Sequence, residues 1–98
     1  MDYHYIVYLL ASGPCGYLYV GITDNILRRM HEHQTFANPH CHTARYNIVN
    51  LVYYEVFSNV MEAIKRKKHL KKWRRNWKFN LVEKTNPTWQ DLTPSLQI

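Results

Sequence analysis

Ninety-eight residues are enough for one domain and too few for two. A hydrophobic content of 46%, with eight Tyr, three Trp and three Phe, supports a real core and excludes a disordered chain. A net charge of +6 points toward polyanions (DNA, RNA or an acidic membrane surface), and no apolar run approaches the ~20 residues of a membrane span.

The chain opens MDYHYIVYLL, in which Tyr5–Ala11 is dense in aromatic and β-branched residues and stops at a turn-rich SGPCG. That run is strand-sized and lacks the charged-then-apolar order of a secretion signal, so a cytoplasmic location is expected. Tyr17–Ile22 has the same character, and the five intervening residues with two glycines predict an antiparallel hairpin. Strand alternation puts Tyr3, Tyr5 and Val7 on one face and Ile6 and Tyr8 on the other. Thr23, Asp24 and Asn25 supply helix caps, and Ile26, Leu27 and Met30 carry a helical period to about Gln34. Thr35–Asn47 has no period and contains Pro39, so it reads as a loop. Cys15 and Cys41, far apart in sequence, read as free thiols.

Leu51–Phe57 is a third strand, after which Ser58 or Asn59 caps a helix reaching about Lys72, with Glu62 favourably placed in its first turn. A further helix, from about Arg74 to Lys84, directs Trp77, Leu81 and Trp73 toward the core, and Asn86–Pro87 ends it. A short tail from residue 86 to 98 carries Trp89 and Leu92 as packing anchors. The expected architecture is a single α/β domain, core about 3–85, with a three-stranded antiparallel sheet flanked by helices in the order β-β-α-β-α-α.

Eight of the thirteen Lys and Arg fall between Lys65 and Arg75, in the stretch KRKKHLKKWRR. A run this dense reads as a surface for a phosphate backbone, with Lys65, Lys68, Lys71, Lys72, Arg74 and Arg75, and Arg28 from the first helix, as candidate contacts. Lys67 differs from these. It shares a helical face with Val60, Ala63, Ile64 and Leu70 and so points inward, where a charge is costly without a partner. Elsewhere Gly21 closes the second strand and leaves room for close approach, while Arg29 and His33 lie four apart on the helix just beyond it. A phenol, a guanidinium and an imidazole around one spot suit phosphodiester chemistry: arginine clamps the phosphate, and tyrosine or histidine moves a proton.

Taken together, Val7–Tyr8, Tyr19–Val20–Gly21 eleven residues on, and Arg29 eight past that glycine resemble the motifs of the GIY-YIG nuclease superfamily. The first motif stands here as IVY and the second as YVG. LKKWRRNWK (Leu70–Lys78) and NPTWQDL (Asn86–Leu92) also resemble small stand-alone bacterial members, so the likeness spans nearly the whole chain. The resemblance implies an endonuclease acting on DNA, with RNA as the other candidate substrate, and a divalent metal, usually magnesium, held by one inward glutamate. It further implies that Tyr8 helps to activate water, that Tyr19 and His33 support proton transfer, and that Arg29 holds the phosphate. An asparagine matched to Asn86 completes some such sites.

The family pattern A-x-x-x-E-x-x-L-K begins here at Ala63, and its glutamate position is Lys67. An ammonium cannot ligate magnesium and repels it. Glu62 lies five residues earlier and about 140° around the helix, so it is a poor replacement. Three readings stay open: a nuclease descendant that binds without cutting, an ammonium that takes over the metal's electrostatic role, or a change confined to this chain in an active enzyme. Zinc binding by His31, His33, His40, Cys41 and His42 is a rival from another class, although their spacing matches no standard finger.

Overall fold

Strand β1 (Tyr5–Ala11) lies between its two neighbours, pairing antiparallel with β2 (Leu18–Thr23) on one side and β3 (Asn50–Phe57) on the other. Both edges of β1 are therefore paired, and packing on both of its faces buries Ile6–Ala11 despite their alternating direction. This computed structural model describes residues 4–34 and 48–96, with the side chains of His33 and Gln34 left out. The expected loop over 35–47, and the positions of Tyr3, His40, Cys41 and His42, lie outside the described residues.

The two sheet faces carry different helices. On one, Val7, Leu9, Ala11 and Val20 meet Ala63 and Leu70 of α2 (Val60–Lys72), Val82 of α3 (Arg75–Thr85) and Trp89. On the other, Ile6, Tyr8 and Leu10 meet Ile26 and Met30 of α1 (Ile26–Gln34), with Ile48 and Leu51. Each fully buried Leu or Ile here stabilises the fold by about 1.5–3 kcal/mol through apolar surface removed from water.

Caps form where the sequence supplies them. The Asn59 side-chain oxygen accepts from the Met61 and Glu62 amides at 2.8 and 3.3 Å, and Asn25 accepts from the Arg28 amide at 3.1 Å. The tail is more structured than its length suggests. The Leu92 amide donates to the Leu51 carbonyl at 2.7 Å and Asp91 accepts from the Leu51 amide, before a single 3-10 turn at Thr93–Ser95. Trp89 is an anchor as expected: it is buried, stacks edge-to-face on Phe79 and donates from Nε1 to Glu83.

Two expectations are corrected. Tyr17 precedes β2 and is 60% exposed, because its amide donates to the Ser12 hydroxyl and its carbonyl accepts from the Ser12 amide, which hold it in the turn. Trp77 is 52% exposed, since the residue of α3 that reaches full burial is Val82 and Trp77 falls on a different side of that helix.

Asn86 acquires a structural role. Between Leu9 and Leu10 the β1–β3 register shifts, with Tyr53 opposite Leu9 and Leu51 opposite Leu10, so Val52 is the extra residue of a bulge. The buried Asn86 amide donates to the Val52 carbonyl at 3.1 Å and to the Gln90 carbonyl at 2.9 Å, and its oxygen accepts from the Gln90 amide at 3.0 Å.

Candidate functional site

Tyr8 sits directly across from Gly21 in the β1–β2 ladder. Its ring lies over that glycine so closely that a Cβ there would overlap the phenol carbons and the hydroxyl oxygen. The close approach that Gly21 permits is thus that of the Tyr8 side chain. Gly21→Ala must displace the ring from a fully buried position, and we expect a loss of about 1–3 kcal/mol, as for other overpacked cores, read as a lowered chemical-denaturation midpoint.

Tyr19 stands beside Tyr8 with ring centroids 6.2 Å apart, tilted by 40°. Burial pushes the Tyr8 phenol well above its ordinary value, Tyr19 and Glu32 push the same way, and Arg29 opposes them. Tyr8 is therefore a neutral phenol at physiological pH. It can donate a hydrogen bond to an anionic oxygen, but it is a weak acceptor of a proton from water.

Arg29 links the two halves of the cluster. It rises from α1, on the Tyr8 face of the sheet, and is half-buried. Lys67 comes from α2, on the opposite face, and is also half-buried, flanking the Ala63–Leu70 stripe as the helical spacing implies. Burial lowers the Lys67 ammonium below its ordinary value, and the positive charges of Lys71 and Arg29 lower it further. Tyr8 and Tyr19 meet through their rings, and the Arg29 charge acts on both the Tyr8 phenol and the Lys67 ammonium. His33 lies on α1 one turn beyond Arg29, with its side chain outside the described residues.

The donor set at Lys67 does not fit a divalent cation. An ammonium offers no lone pair, and two cationic neighbours raise the local positive potential. Glu32 is close enough to influence Tyr8, but it ion-pairs with Arg28 at 3.6 Å. Glu55 accepts two hydrogen bonds from Arg66, at 2.9 and 3.0 Å, and another from the Tyr53 hydroxyl. Burial and the bond to Glu55 push the Tyr53 phenol up to about 12. The Asn86 amide is engaged at the bulge. Among the described residues no three His, Cys, Asp or Glu side chains gather as a cage for a metal ion. Of the histidines considered for zinc, His31 is described and exposed on α1.

Around this group the basic surface divides. Lys65, Lys68 and Lys72 share the outward face of α2, whereas Lys71 follows Lys67 by one turn on its flank; all four are exposed. Arg74 is exposed at the start of α3. Arg75 is committed differently: it donates to the Cys15 and Gly16 carbonyls at 3.1 and 3.2 Å and lies 5.1 Å from the Phe79 ring, tying α3 to the hairpin turn. Arg28 stands between Asp24 at 4.0 Å and Glu32, both exposed pairs of small energetic weight.

Some participants were missed by reading the sequence. Glu32 lies at helical spacing from both Arg28 and Arg29, a signal that was there to use. The Tyr53–Glu55–Arg66 group was not legible, because it joins a strand to a helix eleven residues later through packing alone.

The model of the GIY-YIG catalytic domain matches residues 4–80, a span that includes Tyr8, Tyr19, Arg29 and Lys67. The chain is also similar in fold to the UPF0213 protein BH0048 from Bacillus halodurans, known from a solution NMR structure, at 23% identity. That superposition covers 97% of this chain and 99% of the other, with a TM-score of 0.56. No match was found among curated proteins. GIY-YIG catalytic domains are nuclease-like, act on nucleic acid and generally use a divalent metal.

Proposed function

The chain belongs to the GIY-YIG catalytic-domain family, and from that premise we propose that it is a DNA-binding member that no longer performs the family's metal-dependent cleavage. The observation that carries this reading is Lys67, a half-buried ammonium disfavoured by burial and by the charges of Lys71 and Arg29, at the position that the motif resemblance matches to the family's metal-binding glutamate. Positive side chains that disfavour one another suit a phosphate, which can satisfy more than one charge at once. Tyr8, held neutral by burial, supplies a hydroxyl donor to the same anion, and Tyr19 packs against its ring.

The outer lysines extend the site. Lys65, Lys68, Lys71, Lys72 and Arg74 follow a backbone without reading bases, since contacts of this type position a protein on nucleic acid and carry no sequence information. Nothing in the motif set adds a base-reading element, so binding is expected to be tolerant of sequence.

Affinity for a short duplex, measured by fluorescence anisotropy against salt without divalent ions, tests this. With about five phosphates neutralised, log K should fall with log salt at a slope on the order of −4. Lys67→Met should weaken binding and reduce the slope by about one. A flat salt dependence, or affinity that appears only with magnesium, would falsify the proposal.

A further inference from the structure

A second feature lies about two helical turns from Lys67, where α2 ends and α3 begins. Trp73, Trp77, Asn80, Leu81 and Lys84 line an open groove of about 220 Å³. Trp73 and Trp77 meet edge-to-face, with centroids 6.0 Å apart and planes at 83°. Trp77 is 52% exposed, so the groove keeps a large aromatic surface in contact with water. Packing against Trp73 accounts for one edge of Trp77 and leaves its exposed remainder unexplained.

The charge around the groove is positive. The Arg74 guanidinium lies 5.8 Å from the Trp77 ring centroid, and Lys84 closes the far end. Arg66 lies over Trp73 at 5.1 Å but is held by Glu55. The acidic residue next to Lys84, Glu83, is engaged as the acceptor of a hydrogen bond from the Trp89 indole. An apolar rim would suit a partner helix. A cationic rim around aromatic rings suits a planar group attached to an anion.

Lys67 and Lys71 are one turn apart on α2, and Arg74 follows at the junction beside Trp77, so three cations succeed one another along the helix toward the groove. Aromatic platforms beside a cationic track are how proteins hold single strands: the backbone follows the charges and an unstacked base lies on a ring. We propose that the Trp73–Trp77 groove receives one unpaired base of single-stranded DNA whose backbone passes along Lys67, Lys71 and Arg74. This rests on the DNA-binding reading above and adds a preference for DNA with an unpaired segment. Asn80 offers an amide to the base edge, but stacking tolerates any base, so little sequence preference is expected.

The test compares three probes of equal length on the full chain: a thymidine oligonucleotide, the same backbone with abasic positions, and a duplex. Trp77→Ala should lower single-strand affinity by about tenfold, within the range that removing one stacked base produces. Affinity for the abasic strand and the duplex should stay within about twofold, and Trp77→Phe should restore most of the single-strand affinity. Because Trp77 is at the surface, circular dichroism of the variant should match the parent chain. If the parent chain binds all three probes and Trp77→Ala weakens them equally or not at all, the groove assignment is overturned while the basic surface stands. If the parent chain binds none of them at low salt, both readings fall.

Discussion

Lys67→Glu is expected to create magnesium-dependent DNA cleavage that the parent chain lacks. The substitution places a carboxylate at the position that the motif resemblance matches to the family's metal-binding glutamate, and it removes an ammonium that Lys71 and Arg29 disfavour. Electrostatic groups of this kind contribute on the order of 10²–10³ in rate at comparable sites, so cleavage of supercoiled, branched or single-stranded substrates should rise at least about a hundredfold. Tyr8→Phe in the Lys67→Glu background should abolish the gain, because it removes the hydroxyl that the motif resemblance assigns to activating water. The pH profile should show no break from Tyr8 below pH 10, since burial holds that phenol above its ordinary value. The variant should fold at least as well as the parent, because a carboxylate replaces an ammonium whose charge Lys71 and Arg29 disfavour. Efficient magnesium-dependent cutting by the unmodified chain would show that another ligand exists and that Lys67 has been misread.

The second large effect is on stability. Asn86→Ala is expected to destabilise the fold by about 3 kcal/mol, because three hydrogen bonds are lost and the buried Val52 carbonyl is left without its donor. For a domain of this size that corresponds to a fall in Tm of roughly 12–20 °C. The damage should extend to the tail, since Gln90 is positioned by both atoms of the Asn86 amide and the following Asp91 and Leu92 bond to Leu51. At low temperature, where the variant remains folded, salt-dependent duplex binding should match the parent. A loss of binding without a loss of Tm would reverse the assignment and return Asn86 to the site.

The elements were legible because they rest on local information. The Tyr5–Ala11 run, the Thr23–Asn25 and Asn59 caps and the Asn86–Pro87 break each act within a few residues, and the structure places β1, α1, α2 and the end of α3 accordingly. The inward turn of Lys67 was equally legible, since it follows from the helical period of Ala63 and Leu70. Trp77 was misjudged for a related reason. An aromatic at helical spacing favours burial, but α3 packs through Val82, and a helix with aromatic residues on several sides cannot bury them all.

Residue identity and short-range spacing were enough to specify the strands and helices, the family motifs and the lysine at the position matched to the family's glutamate. Tertiary structure decided which groups meet. It laid Tyr8 across Gly21, set the charge of Arg29 where it acts on Lys67 from the other face of the sheet, engaged Asn86 at the Val52 bulge, and left Trp77 open beside Arg74. Those outcomes depend on strand register and on how two helices share one sheet, and period and propensity within a single segment specify neither.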